Sequence, residues 1–215
     1  MNERTLTVRG VGNVKTQPDL IVITITLTTT TPNYSKTTEL AALELENVKK
    51  AIVSAGHKEE ALKTSHFDIK TENESYIDAA GNRRSKFTGY SATHRLKLEL
   101  DLDMALLNET IVAISTCGAN PIFKISFSIK DKNAVETELL EKAVANAKEK
   151  AIVLARATGI KLGVIKHINY SWGELHLYSD THFDVSPIME IHSKLSIAPE
   201  EIEVDDGVTV IWGIE

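Results

Sequence analysis

Ala143, Ala147, Ala151 and Ala155 recur at every fourth position, and Gly159-Ile160-Lys161-Leu162-Gly163 follows them. Residues four apart stack on one helical face, so the spacing predicts a single long helix over 133–158 with a stripe of minimal side chains. Such a stripe lets the helix backbone lie close to a sheet or to another helix. At 100° per residue, Leu140, Ala143, Val144, Ala147, Ala151, Leu154, Ala155 and Thr158 share an arc of roughly 120°, with Lys142, Glu149 and Arg156 opposite. Enlarging Ala147 or Ala151 is expected to overpack this contact, at a cost of about 1–3 kcal/mol.

Several of the remaining segments alternate with a period of two. Between Leu20 and Thr30, Ile21, Ile23, Ile25 and Leu27 interleave with Val22, Thr24, Thr26 and Thr28. This β-branched alternation is a strand signal. Thr5–Val14 reads as a strand before it, with Gly10 and Gly12 inside and Pro18-Asp19 as the turn. Strands are also expected near 62–72, over 87–101 with its leucine-alternating run, around Phe123–Ile129, over 164–172 and over 207–214. Thr31-Pro32 reads as the start of a helix whose apolar face is Ala41, Leu45, Val48, Ile52 and Ala55. Asp103 reads as the cap of a shorter helix carrying Leu107, Ile111 and Ile114.

The order ββ-α-ββ-α-β-α-ββ, with short turns between adjacent strands, implies an α+β fold: three helices on a mixed, mostly antiparallel sheet. No repeat or low-complexity linker interrupts residues 1–215, which read as one domain. A polar hairpin near 73–86 is expected to project from it, and a polar loop is expected near 173–194.

Charge narrows the function classes. A formal net charge of -6 argues against binding a nucleic-acid backbone, which needs a concentrated basic surface. The basic runs Arg83-Arg84-Ser85-Lys86 and Lys148/Lys150 read as solvated surface. No apolar run approaches the ~18 residues that suggest a membrane span, and no basic-then-apolar leader precedes Arg4. A soluble, cytoplasmic protein is therefore expected. Cys117 is the single cysteine, so no intrachain disulfide forms, and beside Gly118 it reads as a small packed side chain.

Chemistry is sparse. Gly10 and Gly12 lack the third glycine and the immediate helix of a dinucleotide loop, so they read as a bulge or a close backbone approach in a strand. Glu174, His176, Asp180, His182 and Asp184 form a cluster of residue types that ligate metals. His176 and His182 are the candidates to name, although no recognised zinc spacing contains them. There is no serine elbow and no histidine placed by sequence beside Cys117, so no catalytic residue and no cofactor site is expected. Glu200-Glu201 and Asp205-Asp206 read as solvated turns. Tyr76, Tyr90, Tyr170, Trp172 and Tyr178 are candidates for a groove or for packing.

Several groups of residues, taken in order, resemble the SIMPL (DUF541) family, which is widespread in bacteria and includes exported periplasmic proteins. They are Val8-Arg9-Gly10-Val11-Gly12 with Pro18-Asp19, Gly89-Tyr90-Ser91-Ala92, and the alanine helix with Gly159 and Leu162-Gly163. Pro187, Ile197-Ala198-Pro199 and Val208-Thr209-Val210 complete the match. The resemblance implies an α+β fold, frequent self-association and a link to stress responses or signalling, with no catalytic residues to carry over. The expectation is a non-enzymatic, self-associating homo-oligomer. The alternative is a small-molecule- or metal-binding protein with a site near His176, His182 and Trp172.

Overall fold

The computed structural model describes residues 4–170, 173, 175–185 and 197–215. It is an α+β fold with three helices and two antiparallel sheets, and its contacts divide the chain into two compact units.

The first unit comprises Met1–Asp19, Ser128–Asp180 and Pro199–Glu215. Its sheet has the order β1-β8-β6, formed by β1 (Thr5–Thr16), β8 (Ile202–Ile214) and β6 (Leu162–Asn169). β1 and β8 pair antiparallel without a register shift, from Thr5 opposite Gly213 to Thr16 opposite Ile202. Alternate residues Val8, Gly10, Val14, Val204, Val208, Val210 and Trp212 turn to one face and are buried. The helix α3 (Lys132–Thr158) covers that face and buries Val135, Leu139, Ala143, Ala147, Ala151 and Ala155. Asp131 caps it by accepting from the Ala134 N–H, and Gly159 ends it in the left-handed region at φ 71°. Leu140, Val144 and Leu154, expected on the buried arc, lie at its margins; Val144 is 38% and Leu154 43% exposed.

The alanines and the N-terminal glycines belong to one contact. A Cβ placed on Gly10 would stand 2.5 Å from the Ala147 nitrogen, and one on Gly12 would stand 2.9 Å from the Ala143 nitrogen. The glycines are thus the close backbone approach read from the sequence, made against α3.

The outer edge of β1 is covered as well. Lys150 Nζ donates to the Arg9 carbonyl (3.2 Å), Lys142 Nζ donates to the Asn13 carbonyl (3.2 Å), and Asn146 Oδ1 accepts from the Val11 N–H (3.1 Å). Lys150, read from the sequence as solvated, and Lys142, placed opposite the alanine stripe, therefore occupy backbone groups of an edge strand.

The second unit comprises Leu20–Phe127 and Thr181–Ala198. The second sheet has the order β3-β4-β2-β5-β7, with β2 (Leu20–Thr31), β3 (Lys63–Ile77), β4 (Arg83–Asp101), β5 (Ile122–Ser128) and β7 (Tyr178–Val185). α1 (Tyr34–Ser54) and α2 (Met104–Ser115) supply Val48, Ile52, Leu107, Ile111 and Ile114 to its core. These pack with Ile21, Ile23, Ile25, Leu96, Leu98, Phe123 and Phe127. Asp103 caps α2 as expected. The cap of α1 is Asn33 and not Thr31: Asn33 Oδ1 accepts from the Lys36 N–H, while the Thr31 hydroxyl bonds Thr37 Oγ1 at 2.7 Å.

Other differences from the sequence reading are local. β7 is an additional strand inside the stretch read as a polar loop, and β8 begins at Ile202 instead of Gly207. Asp205 and Asp206 therefore lie within a strand, where a solvated turn was expected. The hairpin is laddered out to Ile77 opposite Arg83, and only residues 78–82 form its turn. There Asp78 Oδ1 accepts from the Ala80 and Asn82 N–H groups, and Gly81 takes φ 82°.

Candidate functional site

The end of β2 leaves an uncovered face in the second unit. β2 stops at Thr31, opposite Tyr90, whereas β3 and β4 run on together. Directly paired residues share a face. Phe67–His94, Ile69–Ala92, Thr71–Tyr90, Asn73–Phe87, Ser75–Ser85 and Ile77–Arg83 thus form one continuous row. It is the face on which Leu27 is buried beside His94, but α1 packs over β2 and β4. The continuation is uncovered, with Phe67 47%, Phe87 49% and Ile77 74% exposed.

Aromatic contacts knit the base of this row. Tyr90 meets Tyr34 edge-on at 5.4 Å and Phe87 at 5.2 Å, and Phe67 lies 4.2 Å from the His94 ring. His94 Nδ1 is buried with no hydrogen-bond partner among the described residues, and burial pushes its pKa down. Gly89 is required beneath the aromatics: at φ 155°, a Cβ there would stand 2.5 Å from the Thr31 carbonyl oxygen.

The opposite face of β3 and β4 is charged. Glu72, Glu74, Arg84 and Lys86 lie on it, and Arg84 Nε reaches Asp78 at 2.9 Å. On β3 the Asp68 carboxylate lies 3.0 Å from Lys70 Nζ and 3.3 Å from His66 Nε2. The Lys70 ammonium, then His66, holds the Asp68 carboxyl below the usual carboxylate range.

The histidines named from the sequence fall in different units. His176 lies beside an open cavity of about 480 Å³ in the first unit, shared with Tyr178, Asp180, Glu200, Glu201 and Glu203. Its ring is 5.5 Å from that of Tyr178, over which Lys132 Nζ stands at 5.3 Å. Basic and amide groups of the chain already engage two of these acids. Lys15 Nζ pairs with Glu203 at 2.9 Å and lowers its pKa, and Gln17 Nε2 donates to Glu201 at 3.0 Å. His182 is an exposed residue of β7, in the second unit. Among the described residues no group of three or more His, Cys, Asp and Glu could hold a metal ion. Trp172, Glu174, Pro187 and the side chain of Asp184 lie outside what is described.

Cys117 is a half-buried free thiol at the end of α2, beside a shallow cleft lined in part by Lys50, Ser54 and Ala113. Tyr170, one of the scattered aromatics, donates its hydroxyl to Asp206 Oδ2 at 2.8 Å, and that carboxylate raises the phenol pKa. Nothing in the sequence signals this pair, since its partners are 36 positions apart. The edge-covering set was legible in principle, because Lys142, Asn146 and Lys150 repeat at the spacing of the alanine stripe they flank.

No helix among the described residues is long and apolar enough to cross a membrane. The chain is 24% identical over 164 residues to the 26 kDa periplasmic immunogenic protein of Brucella abortus (strain S19). The aligned part covers 76% of this chain and 65% of that protein, so the match spans somewhat under two thirds of the relative's length. The family model for SIMPL, described as a protein of unknown function (DUF541), matches residues 6–212. That match runs from β1 to β8 and takes in both units, and the chain belongs to the SIMPL family.

Proposed function

We propose that this chain is a non-enzymatic, self-associating protein whose working form is an assembly. The observation that supports this reading is the uncovered row Phe67, Ile69, Tyr90, Phe87 and Ile77, which extends the buried face of the sheet beyond its covering helix. A two-stranded ribbon is marginal in water by itself, and large apolar side chains on an uncovered sheet face, here interrupted by Thr71, Asn73, Ser75 and Ser85, mark an interaction surface. Residues 1–215 act on this reading as a single domain, since the family match crosses both units.

The competing reading, a metal or small-molecule site near 173–194, draws on the cavity beside His176. It is the weaker of the two because two of its acids, Glu203 and Glu201, already have partners within the chain. The cytoplasmic location read from the sequence stands against the periplasm named for the Brucella relative. Fractionating cells and blotting for the chain decides between them.

Sedimentation equilibrium over a range of concentrations tests the assembly. The expected mass is a multiple of 23.7 kDa. A single species of that mass at every concentration would remove the reading.

A further inference from the structure

The long open edge of the second sheet is complementary to itself. β3 is the outermost strand and β4 is its hydrogen-bonded neighbour, so half of its N–H and C=O groups face outward. Register shifts fall between Thr64 and His66 and between Glu72 and Asn73, and His66–Glu72 between them is regular. Ile69 is the midpoint of that stretch.

By alternation His66, Asp68, Lys70 and Glu72 share one face, with Phe67, Ile69 and Thr71 on the other. Reading outward from Ile69, the acid at 68 mirrors the base at 70, and the imidazole at 66 mirrors the acid at 72. An antiparallel partner related by a dyad at Ile69 therefore meets opposite charge at Asp68–Lys70 and sets the His66 imidazole against the Glu72 carboxylate. On the apolar side Ile69 meets Ile69, and Phe67 meets Thr71.

We propose that two copies of this chain pair β3 to β3 about Ile69, joining their sheets edge to edge. This rests on the self-association reading above and names its contact. Slipping one copy by two residues in one direction sets Lys70 against Lys70 and Asp68 against Glu72. In the other direction it sets Asp68 against Asp68 and His66 against Lys70. Like charges directly opposite are destabilising, so the dyad register is selected. Within each copy Asp68 already bridges Lys70 at 3.0 Å and His66 at 3.3 Å, which holds these side chains along the strand. Two of the other edges, β1 and β6, suit pairing less. Lys142, Asn146 and Lys150 occupy β1, and β6 carries register shifts around Ile165.

The test uses Asp68→Lys and Lys70→Asp on the full chain, separately and as an equimolar mixture. Circular dichroism confirms that each variant folds, and sedimentation equilibrium follows association. Alone, each sets like charges against each other at two places and is expected to self-associate about tenfold more weakly or worse. Mixed, the lysines of one variant face the aspartates of the other at every pair, so association returns. Unchanged association in both single variants would overturn the pairing while leaving self-association intact. A monomeric parent protein would overturn both. As a second measurement, Ile69→Cys in a Cys117→Ser background is expected to oxidise to a covalent dimer, because directly paired residues bring their Cβ atoms within disulfide reach. Thr71→Cys, which faces Phe67, is expected not to. An associating Ile69→Cys protein that stays uncrosslinked would overturn the register.

Discussion

Gly10 carries more of the first unit's geometry than any large side chain nearby. The atoms that a Cβ at this position would strike include backbone of α3, among them the Ala147 nitrogen at 2.5 Å, and a backbone cannot swing aside as a side chain can. Gly10→Ala is therefore expected to cost about 3 kcal/mol, at the upper end of overpacking penalties. Urea denaturation measures it, with Gly173→Ala as the control, since nothing lies within 4 Å of that position. A loss below about 1 kcal/mol would mean that the helix rides farther from the strand than described here.

His57 is the titrating counterpart at this scale. Its Nε2 lies 2.6 Å from Thr110 Oγ1, and that hydroxyl already donates to the Leu106 carbonyl at 2.7 Å. The imidazole must then be the donor. Burial lowers its pKa below the ordinary 6.5, so the unfolded chain takes up the proton more readily than the folded one. The stability this group contributes is present above pH 6.5 and is lost as the pH falls through the folded value. His94 is shifted by burial in the same direction. Melting midpoints between pH 8 and pH 5 should fall for the parent protein and fall less for His57→Gln. Identical slopes would contradict this assignment.

Elements were legible where one periodicity ruled. The leucine alternation of β4, the Asp103 cap of α2 and the alanine stripe of α3 stand where the sequence placed them, because burial of one face fixed each. Legibility failed where a strand is held by partners remote in sequence. β3 is exposed along most of both faces, and residues 73–77 continue it only because β4 pairs with them. β7 is mostly polar in sequence, and in residues 202–206 of β8 only Ile202 and Val204 alternate with acids, a run too short to announce a strand by itself. The covered edge of β1 is a tertiary device of the same kind. Replacing Lys142, Asn146 and Lys150 together by Ala removes exposed hydrogen bonds worth about 0.5–1.5 kcal/mol each at most. Stability is expected to drop modestly, while aggregation on prolonged incubation rises because the strand edge is bared. Light scattering follows the second effect, and no rise would show that the lysines do not guard the edge.

Across the whole molecule, the sequence supported the fold class and the family better than any site. The fold class follows from element types and their order, which are local properties. The division into two units does not, because the first unit is drawn from three separated stretches and its sheet joins β1 to β8. His176 and His182 are close in sequence yet fall in different units. The Tyr170–Asp206 bond and the row from Phe67 to Ile77 depend on pairing that no local pattern announces.

The pairing of β1 with β8 also sets an order of events during synthesis. Residues 20–127 supply most of the second unit as one continuous stretch and can begin to fold while the rest of the chain is still being made. β1, although translated earliest, must wait for residues 202–214 before its ladder can close. Until then Val8, Val14 and the glycine seam have no sheet to complete. The first-made strand is thus among the last to find its place.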